Sequence, residues 1–321
     1  MTPLSRRDLF KALVPAAIPM ALVGCDQKRS LSVGGTTWLG YAMIDLANKL
    51  NIIDRNKIDL VKTSSASETM SRFQNKQLDV AMLTFDEAIR LCANGTELEI
   101  ILIFNISMGA DIVLSRPTIN ELAQIKGKRI GLEFNSVGKI ILAELLRRTN
   151  LSSADVELVN VEHHLQPDAW INQQLDLLIT YEPQASKLLI QSPGIKLFSS
   201  LAIPDRIFDV MVIQKDLSRQ QIRLVRQLVK DYFQATFQFK SNPINASYHL
   251  AEILELHPEE ILKLYRLIQI PDQLANHRFL SGQDPRLIQN LDFLSSLNAQ
   301  LNLENCDQMH LFNDRYIGLE I

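Results

Sequence analysis

The stretch Leu31-Ser-Val-Gly-Gly-Thr-Thr-Trp-Leu-Gly-Tyr41 reads as a strand running into a polar, aromatic loop and then a helix. Leu31 and Val33 alternate with small or polar neighbours, Gly34 and Gly35 permit a tight exit, and residues 42–50 carry apolar side chains at helical spacing. In open α/β sheets, ligands bind beyond the carboxyl ends of strands, where helix N-termini present unpaired N–H groups. Thr37, Trp38 and Tyr41 are therefore candidate ligand contacts, with Tyr41 also offering a hydroxyl donor. The alternative for the two aromatic residues is that they cap the core of a first βα unit.

The same unit recurs along the chain. Ile58-Asp-Leu-Val-Lys62 is a second strand, and it ends in a hydroxyl run containing Ser64 and Ser65, which reads as a helix N-cap cluster able to hold an anion. Leu78-Asp-Val-Ala-Met-Leu83 is a third strand, followed by Thr84 and Asp86 at a helix start. A continuous apolar strand at 99–104 precedes a turn and strand carrying Asp111, and Arg116-Pro117 then breaks the run. Further on, the pattern predicts a helix at 119–125, a strand at 128–132, and a long helix opened by Asn135 and Ser136. A strand at 156–161, a helix at 169–174, a strand at 177–180 running into Tyr181-Glu182-Pro183, and strands at 196–199 and 210–214 complete this part. From Leu217 onward only helices are predicted, at 222–239, 244–256, 258–268 and 286–301. The alternation implies an α/β fold with mainly parallel sheets, and a length of 321 residues favours two lobes over one core. The helical tail packs around an existing lobe.

The N-terminus is an export signal. Ser5-Arg6-Arg7-Asp8-Leu9-Phe10-Lys11 is basic, in a form compatible with either twin-arginine or general secretion, and residues 12–23 are apolar over a run too short to span a bilayer. Leu22-Val23-Gly24-Cys25 resembles the bacterial lipobox, which implies removal of residues 1–24, acylation of Cys25, and a short tether over 25–30. Acyl chains at about 0.8 kcal/mol per buried CH₂ then hold the protein on the outer face of the cytoplasmic membrane or in the periplasm. A plain cleaved signal is the alternative. Cys92 and Cys306 face an oxidising compartment and can pair. The apolar helical setting of Cys92 reads instead as a buried free thiol.

A formal charge of −3 gives no support to nucleic-acid binding. The sequence has no CxxC, phosphate-binding glycine loop or HExxH, so neither a cofactor nor a metal is expected. His163-His164 is a poor chelate, since adjacent side chains at a strand end point to opposite faces.

Several short patterns now fall in order: Trp38 with Gly40-Tyr41, Ser64-Ser65, Leu78-Asp79-Val80-Ala81 with Thr84, and Gly109-Ala110-Asp111. They continue with Lys126-Gly127-Lys128-Arg129-Ile130-Gly131, Tyr181-Glu182-Pro183, and Ile203-Pro204 with Asp209. From about residue 31 to 216 this set resembles the solute-binding proteins of ABC importers for nitrate, sulfonate, taurine and thiamine-pyrimidine precursors. The resemblance implies a two-lobed, type II periplasmic-binding-protein fold, with lobe one at 31–115 plus 209–321 and lobe two at 116–208. The crossings then fall near Leu114-Ser115-Arg116 and Phe208-Asp209-Val210. It also implies a non-catalytic, monomeric protein that delivers a small solute to an ABC permease and its ATPase. A receptor for a membrane sensor protein and an enzyme on the same fold are the competing classes.

The residues expected at the cleft are Thr37, Trp38, Tyr41, Ser64, Ser65, Thr84, Asp86, Asp111, Asn135, Ser136, Glu182 and Asp209. Ser64 and Ser65 need no ligand if they are ordinary caps, and Asp111 and Asp209 near the hinge have a structural alternative. Glu182 is harder to read as a cap, because no clear helix signal follows it. These loops carry four acids and hardly a Lys or Arg. Unpaired carboxylates raise the cost of a bare anion by several kcal/mol. An amino-sulfonate of the taurine type or an aminopyrimidine therefore fits better than nitrate or bicarbonate.

Overall fold

The computed structural model describes residues 30–297, 306 and 310–318. The export signal and Cys25 lie outside them. In chain order the elements are β1 (Leu31–Gly35), α1 (Ala42–Lys49), β2 (Ile58–Lys62), α2 (Ala66–Gln74), β3 (Val80–Thr84), α3 (Phe85–Ala93), β4 (Leu98–Ser107) and β5 (Asp111–Ser115). There follow β6 (Arg129–Leu132), α4 (Gly138–Thr149), β7 (Glu157–Asn160), α5 (Gln166–Ile171), β8 (Leu177–Tyr181), α6 (Gln184–Gln191), β9 (Ile195–Ser199) and β10 (Phe208–Gln214). The tail holds α7 (Arg219–Ser241), α8 (Pro243–Leu254), α9 (Pro258–Leu264), β11 (Ile268–Gln269), α10 (Gln273–Leu280) and α11 (Arg286–Leu297).

Two sheets result, ordered β11-β4-β10-β3-β1-β2 and β7-β6-β8-β5-β9. The alternation of β5 shows how the smaller one is buried. Val113 joins the cluster that contains Ile130, Ile140, Ile141 and Leu145 on the α4 side. Ile112 and Leu114 join Trp170, Ala185 and Leu188 of α5 and α6 on the other. A strand covered on both faces reads as a continuous apolar run, which is what 112–114 is. The larger sheet is covered by α2, α3, α7 and α10, with α1 and α8 packed on α7, and Tyr232 of α7 donates its buried hydroxyl to Phe104 O at 3.0 Å. The helical tail thus belongs to the first lobe, as expected.

Three sequence-based expectations need correction. The sheets are mixed, not mainly parallel: β1 pairs in parallel with β2 and β3, while β10 runs antiparallel to both β3 and β4. In the second sheet β5 runs antiparallel to β8 and β9. The first crossing lies at residues 108–110, before β5, because β5 pairs only in the second sheet. Gly109, at φ 122°, sits in that crossing where other residues would be strained. Cys92 and Cys306 form a disulfide, Cα–Cα 5.2 Å, so Cys92 is not a free thiol.

Candidate functional site

Mixed pairing is what assembles the site. Parallel strands end at the rim where antiparallel strands begin, so Asp209 lies in register with Thr84 and Asn105, and Asp111 with Tyr181. The loops after β1 and β2 reach the same rim. Together they enclose a void between the lobes lined by Thr36, Trp38, Tyr41, Ala66, Thr69, Met82, Thr84, Glu87 and Asp209 on one side. Asp111, Val137 and Tyr181 line the other. The void is narrow, ≈ 20 Å³ by the path of a water-sized sphere's centre. That suffices for little more than a water, so a solute needs the lobes to part.

The aromatic wall is fixed by a buried chain of hydrogen bonds. Trp38 Nε1 donates to Asn105 Oδ1 at 2.9 Å, Asn105 Nδ2 donates to Asp209 Oδ2 at 2.8 Å, and Tyr41 OH donates to Asp209 Oδ1 at 2.8 Å. Gly40 permits this approach, since a Cβ there would lie 1.8 Å from Asn105 Oδ1. With their polar tips engaged, Trp38 and Tyr41 offer the cleft mainly ring surface. Trp38 meets Tyr181 of the second lobe edge-on at 5.4 Å, and Tyr181 lies flat on His163 at 4.3 Å. Burial holds the His163 imidazole neutral, at about 4.

The floor is acidic. Asp111 is 3% exposed, and its Oδ2 has no hydrogen-bond partner among the described residues. Burial pushes this carboxyl up to about 7, with Ser107 opposing and the charge of Asp86 adding to it. Glu87 is raised well above the carboxylate range by burial and then by Asp86, although Arg90 and the Thr84 N–H, 2.9 Å from Oε2, pull it down. Asp209 is raised by burial and by Asp111, and the bonds from Tyr41 and Asn105 work against that. Arg90 turns its Nη2 to Asp86 Oδ2 at 2.8 Å and to Asn135 O at 3.0 Å, and its Nε has no partner among the described residues. Among the described residues, no Lys, Arg or His lines the void.

The lobes touch around this floor. Glu133 Oε1 accepts from Ser67 N at 2.7 Å and Ser67 Oγ at 2.6 Å, Arg90 reaches Asn135 across the cleft, and Lys187 pairs with Glu255 at 3.0 Å. This is a closed two-lobed form. A wider vestibule of ≈ 320 Å³ lies beside it, with Thr37, Ser64, His163 and Lys187 in its wall.

Of the expected residues, Trp38, Tyr41, Thr84, Asp111 and Asp209 are brought together at the void, while Thr37 and Ser64 stand at the vestibule. Ser136 faces a smaller neighbouring pocket that also contains Asp111, Glu133 and Tyr181. Ser65 acts as the cap of α2, its Oγ accepting from Glu68 N at 3.1 Å. Asp86 is held by Arg90 and by Thr84 Oγ1 at 2.7 Å. Asn135 is exposed and meets the first lobe through its carbonyl. Glu182 is 0% exposed and is consumed by Ser186 N at 2.9 Å, Ser186 Oγ at 3.0 Å and Lys196 Nζ at 2.7 Å. It does cap a helix, α6, whose start after Pro183 carries no polar signal in the sequence. Glu87, Tyr181, Thr36 and Thr69 were not expected. Glu87 and Tyr181 each follow a strand whose end was recognised, which was the available signal.

Residues 25–255 of the sequence match the NMT1-like family. The chain belongs to the NMT1-like family. This family member is 21% identical over 218 residues to the taurine-binding periplasmic protein of Escherichia coli K12, a match covering 67% of the chain and 65% of that relative. Its fold is that of periplasmic binding proteins. The alkanesulfonate-binding protein SsuA from Xanthomonas axonopodis pv. citri, solved bound to MOPS, superposes with a TM-score of 0.69 at 15% identity, covering 86% of this chain and 97% of that one. The desulfurization enzyme DSZB does so with a TM-score of 0.58 at 16% identity, covering 90% and 98%. Proteins that bind and a protein that catalyses therefore share this fold.

Proposed function

We propose that this NMT1-like protein is a monomeric, exported lipoprotein, anchored through acylated Cys25, that captures a small organic solute between its lobes and delivers it to an ABC permease with its ATPase. The observation that carries this reading is the buried floor of Asp111, Glu87 and Asp209 under the aromatic residues Trp38, Tyr41 and Tyr181, sealed by contacts between two lobes. Hinge closure over a solute changes the outer surface that a permease reads. Carboxyl groups without a cation favour a solute with donor nitrogens, of the amino-sulfonate or aminopyrimidine kind. The test is mass spectrometry of small molecules released by denaturing freshly purified protein, followed by uptake of the identified compound in cells with and without the gene. A near-stoichiometric solute whose uptake needs the gene supports capture for import. Release of a solute whose uptake is unaffected points to sensing instead.

A second reading rests on one observation. A carboxyl held near neutrality, as burial holds Asp111, suits a general acid or base, and an enzyme shares the fold. Conversion of the released compound by purified protein supports that reading. Its persistence unchanged supports capture.

A further inference from the structure

We infer that the captured solute is a small organic cation, with its charge on nitrogen and no anionic group, held by Asp111 and Glu87 against the Trp38 and Tyr181 rings. This rests on the capture reading and narrows its solute, setting aside the amino-sulfonate kind.

The first observation is a donor shortage. An anion in such a cleft is ordinarily held by N–H groups at helix N-termini. Here three of those groups are already bonded by the chain itself: Ser67 N of α2 by Glu133 at 2.7 Å, Glu68 N by Ser65 at 3.1 Å, and Thr84 N before α3 by Glu87 at 2.9 Å. The nearby hydroxyls are engaged too, Thr84 Oγ1 on Asp86 and Thr69 Oγ1 with Thr63 Oγ1 and Ser65 O. A sulfonate or nitrate has to displace these bonds.

The second observation is an unpaired acceptor. Asp111 lines the void, and its buried Oδ2 has no partner among the described residues. A buried acceptor without a donor costs free energy, and a cationic N–H is the donor that relieves it most. The surrounding charges point the same way. Asp86 raises Asp111, Glu87 and Asp209, Glu133 adds to Glu87 and Asp111 to Asp209, against Arg90, which pairs with Asp86, and Lys139 at the start of α4. The aromatic residues complete the fit, because ring faces attract cations and offer nothing to an anion. Since burial raises Asp111 to about 7, seating the cation on it expels a proton to the solvent.

The test is thermal unfolding of the full chain with compounds at about 10 mM, where even a weak ligand stabilises measurably. The probes are guanidinium and 4-aminopyridinium, against neutral 4-methylpyridine, anionic benzenesulfonate and zwitterionic taurine. A melting temperature raised by about 2 °C or more by a cation alone is expected. Asp111→Asn, and separately Glu87→Gln, should weaken that cation at least about tenfold while each variant still unfolds cooperatively. Should one variant fail to fold, the other carries the comparison. A larger shift with benzenesulfonate or taurine, strengthened by Asp111→Asn, overturns the cation assignment and leaves capture of a solute standing. No shift with either cation also overturns it, and the released-solute experiment then judges capture by itself.

Discussion

Tyr41 and Asp209, 168 residues apart, are joined by a 2.8 Å hydrogen bond from the tyrosine hydroxyl to Oδ1. The loop after the first strand is thereby fastened to the strand that returns from the second lobe. Tyr41→Phe removes one of the two side-chain donors that Asp209 holds, in a buried site. A loss of about 1–2 kcal/mol in unfolding free energy is expected, read from urea midpoints with the slope unchanged. Solute affinity should change less than stability, since the hydroxyl is spent on Asp209.

Gly40→Ala should be more damaging than any ordinary loop substitution. Its Cβ would stand 1.8 Å from Asn105 Oδ1 and 3.1 Å from Trp38 Nε1, so the Trp38–Asn105–Asp209 chain has to break. Two buried polar groups are then left unpaired, at about 1–3 kcal/mol each. Denaturant unfolding together with a red shift of the Trp38 fluorescence reads this out, with Trp170 as the unchanged second fluorophore.

The acidic floor fixes the sign of a pH dependence. Asp111 has a folded value of about 7, raised by burial above that of the unfolded chain. Its contribution to stability is fully present below the unfolded carboxylate value and is lost as pH rises through 7. The slope is about 1.4 kcal/mol per pH unit inside that window, and Glu87 and Asp209, also raised, act with the same sign. Solute-free wild type should therefore lose stability between pH 5 and 8 relative to Asp111→Asn, whose amide does not titrate. Parallel melting curves of the two proteins across that range test it; a gap independent of pH counts against a neutral buried Asp111.

Reducing the Cys92–Cys306 disulfide should loosen the C-terminal segment. The link spans 214 residues and lies near the bridge by which Phe312 joins Ile100 of β4. Loop-closure entropy for so long a span is worth about 2–5 kcal/mol. A melting temperature lowered by reductant in wild type and unaffected in a Cys92→Ser, Cys306→Ser double variant is the expected pattern.

How much of this was legible in the sequence depended on whether the signal was local. The strand-loop-helix at 31–50 is set by its own residues and stands as read. Of the residues expected at the cleft, Thr84, Asp111 and Asp209 lie where a strand begins or ends, and Trp38 and Tyr41 lie in the loop after β1; all five line the void. The strand at 111–115 was assigned to the wrong lobe, because an apolar run carries no record of which sheet it pairs with. Cys92 looked solitary because its partner is 214 residues away. Glu182 looked free because α6 starts on Pro183 and Gln184 without the usual polar cap, so the carboxylate supplying that cap went unrecognised. Glu87 was missed for the opposite reason: it serves as a capping partner of Thr84 and as cavity floor at once.

The central claim is that a solute sits between the lobes on Asp111. Calorimetric titration of the solute released from the native protein, into wild type and Asp111→Asn in two buffers of different ionisation enthalpy, tests it most directly. The expected result is one site per chain, proton release to the buffer, and affinity at least about tenfold weaker in the variant. Equal affinity for both proteins, with no difference between buffers, contradicts it.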